Sequence, residues 1–150
     1  MTKNYEVKVK YTKQQESGDF KRVTEPYLVA AMTFGDAETR IYEELGALIR
    51  GEFEVTAIKA ENFHDISRYD DSDIWYSSVL EFDSSEEGGK SKKTKQNLLV
   101  TASSVKEAFD RFVEMMSGMM VDFEIRSVKK TELQDVFPIP VVVDLYADNN

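Results

Sequence analysis

His64 is the one histidine in a 150-residue chain that has no cysteine. A lone imidazole without thiolates cannot assemble the usual zinc ligand sets. Any Ser-His-Asp relay would rest on His64 alone. Without cysteine there is no disulfide and no thiolate nucleophile. The acidic run Asp70-Asp71-Ser72-Asp73 offers oxygen ligands of the kind a divalent cation takes, but it lacks the calcium-loop spacing D-x-D-x-D-G-x5-E and reads as a solvated linker. Neither G-x-x-x-x-G-K-[ST] nor G-x-G-x-x-G occurs, so the familiar phosphate cradles are missing. The expectation is a non-enzymatic protein with no catalytic residue, no metal and no cofactor.

The cations are better placed for chemistry than the acids. Residues 10–22 hold Lys10, Lys13, Lys21 and Arg22 against Glu16 and Asp19, a net of +2. Residues 83–95 hold Lys90, Lys92, Lys93 and Lys95 against Asp83, Glu86 and Glu87, a net of +1. The chain as a whole is −9, which leaves −12 on the rest. Tyr11 and Phe20 flank the first cluster and Phe82 the second. Cations interleaved with aromatic rings suit single-stranded DNA or RNA, because phosphates pair with the former and bases stack on the latter. The plainer reading is that lysines guard hairpin edges against aggregation and the rings belong to the core.

The elements that would carry these clusters occur twice. Residues 53–66 read FEVTAIKAENFHDI and residues 123–136 read FEIRSVKKTELQDV. Phe53 pairs with Phe123, Asp65 with Asp135 and Ile66 with Val136, an offset of 70. Further upstream the offset becomes 71, pairing Tyr5 with Tyr76, Val9 with Leu80, Arg40 with Arg111 and Ile41 with Phe112. His64 falls opposite Gln134, so its place already accepts an amide within this one chain.

Each copy reads as strand, hairpin loop, strand, helix, strand. Tyr5, Val7, Val9 and Tyr11 alternate with polar residues, as do Tyr76, Ser78, Leu80 and Phe82. Ser17-Gly18-Asp19 marks the first hairpin turn and Glu87-Gly88-Gly89-Lys90 the second. Thr33 with Asp36, and Ser104 with Glu107, mark helix starts. The predicted buried helix faces are Ala37, Ile41, Leu45 and Leu48, then Val105, Ala108, Phe109, Phe112, Val113 and Met116. Gly51 is placed as a left-handed helix cap. The fold class that follows is α+β: an internally duplicated ββαβ unit with mainly antiparallel sheet, helices on one face and an optional extra C-terminal strand. The halves are 1–66 and 76–137, joined by an acidic linker, 67–75, and followed by a tail or edge strand, 138–150. Whether the two sheets merge or stack is left open.

No apolar run reaches the roughly 18 residues a membrane helix needs, and the first residues lack a signal-peptide core. A cytoplasmic protein without a membrane partner is the default.

The hairpin with its TEPYLV return strand (residues 24–29) and the GEFEVTAIK strand (residues 51–59) resemble an uncharacterised domain family of phages, prophages and mobile elements of gut Bacteroidetes. The resemblance implies such an origin, and a bacterial host cell as the location. It brings no active site with it. Two functions then compete: single-stranded nucleic-acid binding in replication, and a protein–protein or sequestering module, such as an inhibitor of a host defence component, acting through the acidic surface or the tail. The tail, Phe137-Pro138-Ile139-Pro140 followed by VVVDLYADNN, reads either as an added edge strand over 141–146 or as a partner-docking peptide.

Overall fold

Tyr5, Val7, Val9 and Tyr11 all turn toward one core, and so do their partners Tyr76, Ser78 and Leu80 in a second. In the computed structural model, which describes residues 2–85 and 91–139, this alternation builds two sheets. The elements run β1 (Lys3–Gln14), β2 (Phe20–Ala31), α1 (Phe34–Gly46), β3 (Phe53–Glu61), β4 (Asp65–Ser67), β5 (Trp75–Ser85), β6 (Ser91–Thr101), α2 (Val105–Met115), β7 (Phe123–Lys130) and β8 (Val136–Phe137). The architecture is α+β, as expected, with two separate sheets ordered β3-β1-β2-β8 and β4-β6-β5-β7.

The duplication holds at the level of single residues. The first core contains Tyr5, Val9, Val29, Ala31, Ala37, Ile41 and Leu45, and the second contains Tyr76, Leu80, Val100, Ala102, Ala108, Phe112 and Met116. Each of these is its counterpart shifted by 71. The ladders even slip at the same place. β1 shifts register against β3 between Lys8 and Val9, and β5 shifts against β7 between Val79 and Leu80. Both helix starts are capped as predicted: Thr33 Oγ1 accepts from the Asp36 N–H at 3.1 Å, and Ser104 Oγ from the Glu107 N–H at 3.1 Å. The Glu107 carboxylate in turn accepts from the Ser103 N–H, one residue before the cap.

The last turn of the repeat is where the halves exchange. β4, from the first half, pairs in parallel with β6 of the second through Ile66↔Leu99. β8, from the second half, pairs in parallel with β2 of the first through Leu28↔Val136. Asp65 and Asp135 each accept from the following N–H, so the two strands begin alike. A third core forms between the sheets from Leu28, Leu99, Leu133, Val136 and Trp75, with Phe63 and Ile66 against it. Pro26 causes no conflict, because β8 covers β2 only at Leu28 and Val29 and leaves Pro26 on an edge. Two helix arginines clasp the exchanged segments. Arg40 donates to the Ala30 and Phe137 carbonyls at 2.6 and 3.3 Å and to the Pro138 carbonyl at 2.5 Å. Arg111 donates to the Thr101 carbonyl at 2.7 Å and to Asp71 at 2.6 Å, with its guanidinium 4.0 Å from the centre of the Tyr69 ring.

Several expectations need correction. Val105, Phe109 and Val113 lie on the outer side of α2, leaving Ala108, Phe112 and Met116 to face the sheet. The sequence stripe was too wide, because a helix on one sheet buries only a narrow arc. Leu48 lies past the end of α1 and is exposed, and Ile49 packs instead. Gly51 has φ +89°, but α1 is already capped at Ala47, so its left-handed turn sets up β3. The acidic linker is tied down rather than only solvated: Asp71 holds Arg111, and Ser72 donates to the Ala102 carbonyl at 2.5 Å. The second hairpin turn, Glu87–Lys90, and the C-terminal strand over 141–146 lie outside the described residues.

Ser78 is the flaw in the second core. It is buried where the first core has Val7, and among the described residues its Oγ is the buried side-chain polar atom without a hydrogen-bond partner. A buried, unpaired hydroxyl costs about 1–3 kcal/mol. Ser78→Val should therefore raise the unfolding free energy by about 1 kcal/mol, once some misfit is deducted. Urea unfolding checks this, and a lower midpoint would mean that the site has no room for the second methyl.

Candidate nucleic-acid interface

Strands β1 and β2 stay paired for their full length, from Lys3↔Ala31 to Gln14↔Phe20. Core packing stops earlier: Tyr11 is the last buried residue of β1, and Thr12, Lys13 and Gln14 are exposed, as are Phe20, Lys21 and Arg22. The hairpin therefore runs past its helix as a two-stranded ribbon. Its turn is closed by hydrogen bonds from the Gln15 N–H to the Asp19 carbonyl at 2.7 Å and from the Gly18 N–H to the Gln15 carbonyl at 2.9 Å. Gly18 supplies the left-handed conformation there, with φ +91°. β5 and β6 form the matching ribbon, paired to Ser85↔Ser91.

The aromatic candidates separate sharply. Phe20 is 70% exposed at the first ribbon's tip. Tyr11 belongs to the first core, with its hydroxyl donating to the Glu25 carboxylate. Burial and that carboxylate push its pKa up, and they push Tyr27 up to about 12. Tyr11 therefore offers no face to a base. Phe82 is half-buried against the second core.

The cations separate as well. On the first ribbon, Lys13 lies directly opposite Lys21. Like charges facing across a ladder are unfavourable. Lys13 finds Glu25 at 3.2 Å, and Arg22 donates to the Thr12 hydroxyl at 3.3 Å. Lys10 and Lys21 have no carboxylate within ion-pair distance among the described residues; Lys10 lies across the ladder from Glu54. The second ribbon is internally matched instead, with Lys93 opposite Asp83 and Lys95 opposite Glu81. Glu81, largely buried, also takes Lys93 at 3.3 Å and Arg126 at 4.0 Å. Lys92 is exposed and engaged. Lys90 lies outside the described residues. The two tips are alike in backbone and unlike in charge pairing, and the difference lies in carboxylates at positions 81 and 83, where the first copy has Lys10 and Thr12.

Elsewhere the surface suits anions poorly. A cleft of about 590 Å³ between the halves is lined by Glu25, Trp75, Lys130, Glu132 and Gln134, among others, with more acid than base. His64 is exposed, and its backbone N–H donates to the Asn97 carbonyl at 2.7 Å. Among the described residues no group of three or more His, Cys, Asp or Glu side chains is gathered as a metal site would require. No helix there is long and apolar enough to cross a membrane.

The class defined by this geometry is a duplicated α+β protein with strand exchange and two protruding β-ribbons. The chain belongs to the family described as Domain of unknown function (DUF4494), whose model matches residues 3–139. No curated protein matches the chain.

Proposed function

We propose that the chain is a non-enzymatic binding protein for single-stranded nucleic acid, acting in the replication of a phage or mobile element in the cytoplasm of a bacterial host. The observation that carries the reading is the first ribbon's tip. There Phe20, 70% exposed, stands beside Lys21 and Arg22, with Lys13 facing Lys21 across the ladder. A facing pair of like charges is relieved when a phosphate comes between them, and an exposed ring gives a base a surface to stack on. The interface thus centres on the ribbon's tip, with Phe20, Arg22 and Lys10 on one face and Lys21, beside the Glu25-paired Lys13, on the other. The second ribbon contributes less, because Glu81 pairs with Lys93 and lies across the ladder from Lys95, and Asp83 lies across from Lys93.

Binding of a labelled mixed-sequence oligonucleotide, followed by anisotropy across a salt series, tests this. Affinity should fall steeply with salt, and the combined Lys21→Ala and Arg22→Ala variant should flatten the log–log slope by about 0.7 per lost phosphate contact. Phe20→Ala should cost about 1–3 kcal/mol of binding through lost stacking. No binding at micromolar protein in low salt would sink the proposal.

A second reading, a protein-docking or sequestering module, is favoured by α1. Its exposed surface combines Asp36, Glu38 and Glu43 with Phe34 and Tyr42, which suits a basic partner. That reading requires an interaction that survives Phe20→Ala and is lost on reversing the charges of Glu38 and Glu43.

A further inference from the structure

Strand β7 is an open edge. In the order β4-β6-β5-β7 it pairs with β5 on one side, and among the described residues no strand pairs with its other side. An unpaired edge of this kind is a template for another strand. α2 packs over β7 and leaves an apolar stripe beside that edge. Val105 is 55% exposed, Phe109 43% and Val113 37%. Arg111 fixes which way the stripe looks, because it reaches the end of β6 and Asp71. With about 3.6 residues per turn, Phe109 and Val113 lie about 160–200° around the helix from Arg111, on the β7 side.

The first half shows what the fold itself requires at these positions. The matching residues of α1 are Phe34, Glu38 and Tyr42, beside β3. Phe34 sets its edge against the Tyr5 ring and Tyr42 stacks on Phe53, each with ring centres 4.9 Å apart, and Glu38 is exposed. Among the described residues Phe109 has no ring against it, so an aromatic side chain stands in water where the fold accepts a carboxylate. The edges differ in charge as well. Lys59 of β3 is held by Glu61 at 3.4 Å. Its counterpart Lys129 has Thr131 in place of that glutamate, and no carboxylate lies within ion-pair distance of it among the described residues.

The β7 strand is also complementary to itself. Laid antiparallel to a second copy about its middle, Glu124 meets the partner's Lys129 and Ile125 meets the partner's Val128, so charges and apolar faces match. Arg126, the extra residue of the bulge and the ion-pair partner of Glu124 at 3.3 Å, falls at the axis. Pairing then runs on either side of it, residues 123–125 against the partner's residues 128–130. The same two-fold axis brings the two α2 helices alongside each other on one face of the joined sheet, where each covers the other's stripe.

We propose that the chain forms a two-fold dimer with a second copy of itself through the β7 edge and the Val105-Phe109-Val113 flank of α2, with α1 and β3 outside the interface. The inference is independent of the nucleic-acid reading.

Sedimentation equilibrium of the full chain across a concentration series tests it, and a reversible dimer is expected. Phe109→Glu gives α2 the residue type that α1 carries at Glu38, so the fold should tolerate it, and an unchanged circular dichroism spectrum verifies that. It should weaken the dimer at least about thirtyfold, as loss of a central aromatic anchor does. Lys129→Glu should weaken it about tenfold, since symmetry breaks two pairs at once. Adding Glu124→Lys to that variant should restore the dimer, and Glu38→Lys should leave it unchanged. A chain that stays monomeric at the highest concentration would overturn the proposal. So would a dimer that survives Phe109→Glu, one that Glu124→Lys fails to restore, or one that Glu38→Lys disrupts.

Discussion

Phe112→Ala is expected to lower the unfolding free energy by about 3–5 kcal/mol. The ring is fully buried. It extends from α2 into the second core, among Tyr76, Leu80, Leu98 and Val100 of the sheet, with Ala108 and Met116 a turn away on either side. Truncation removes the largest helix side chain in that core and leaves a cavity that the sheet cannot close. Met115, Met116 and Met119 lie nearby and are unbranched, so they can move partly into the space. That relaxation holds the effect within the range rather than above it. Against a typical domain stability of about 5–15 kcal/mol, the loss is about a fifth of the total or more. Ile41→Ala, the same position in the first copy, should cost about 2–5 kcal/mol. Urea unfolding measures both. A value under about 1 kcal/mol for Phe112→Ala would mean that the helix does not depend on this contact.

That pair of positions also shows what could be read in the sequence. Ile41 and Phe112 were legible because helical spacing repeats every turn and the duplication states it twice. The alternation of Tyr5 to Tyr11 gave β1 its inward face for the same reason. The exchange of β4 and β8 was not legible. Ile66 and Val136 stand out as repeated apolar positions, but a three-residue and a two-residue strand have too little period to reveal a partner, and parallel pairing across halves leaves no local mark. Phe109 and Val113 misled because apolar residues are also common on surfaces, so an apolar position is weak evidence of burial. The candidate site was half legible. The basic tips could be counted, but cross-strand register decides which lysine meets a carboxylate, and register depends on the turn. Thus Lys93 opposite Asp83 and Lys13 opposite Lys21 look alike in composition and differ in charge balance. Tyr11 illustrates the same limit, since one strand position separates a stacking ring from a core ring.

Trp75→Ala should cost a similar amount, about 3–5 kcal/mol, for a different reason. Trp75 is 1% exposed at the start of β5 and fills the core between the sheets with Leu28, Leu99, Leu133 and Val136. The first copy has Asn4 at the matching position, so no second ring shares its task. Arg68 lies 5.1 Å from the ring centre and pairs with Asp135 at 2.6 Å, which ties the end of one copy to the end of the other. Losing the ring removes that cation–π contact as well, worth about 0.5–1 kcal/mol at a partly exposed site. Both helix cores stay intact in this variant, so the form of its unfolding curve is as informative as its midpoint. Each sheet borrows a strand from the other half, and Arg40 and Arg111 each grip the borrowed segment. A half that unfolds therefore takes a strand from its neighbour. Trp75→Ala should accordingly unfold in one cooperative transition at lower urea, with fluorescence of a tyrosine-rich first core and circular dichroism of both halves changing together. Two separated transitions would show that the halves stand alone, and that the strand exchange decorates the fold without coupling it.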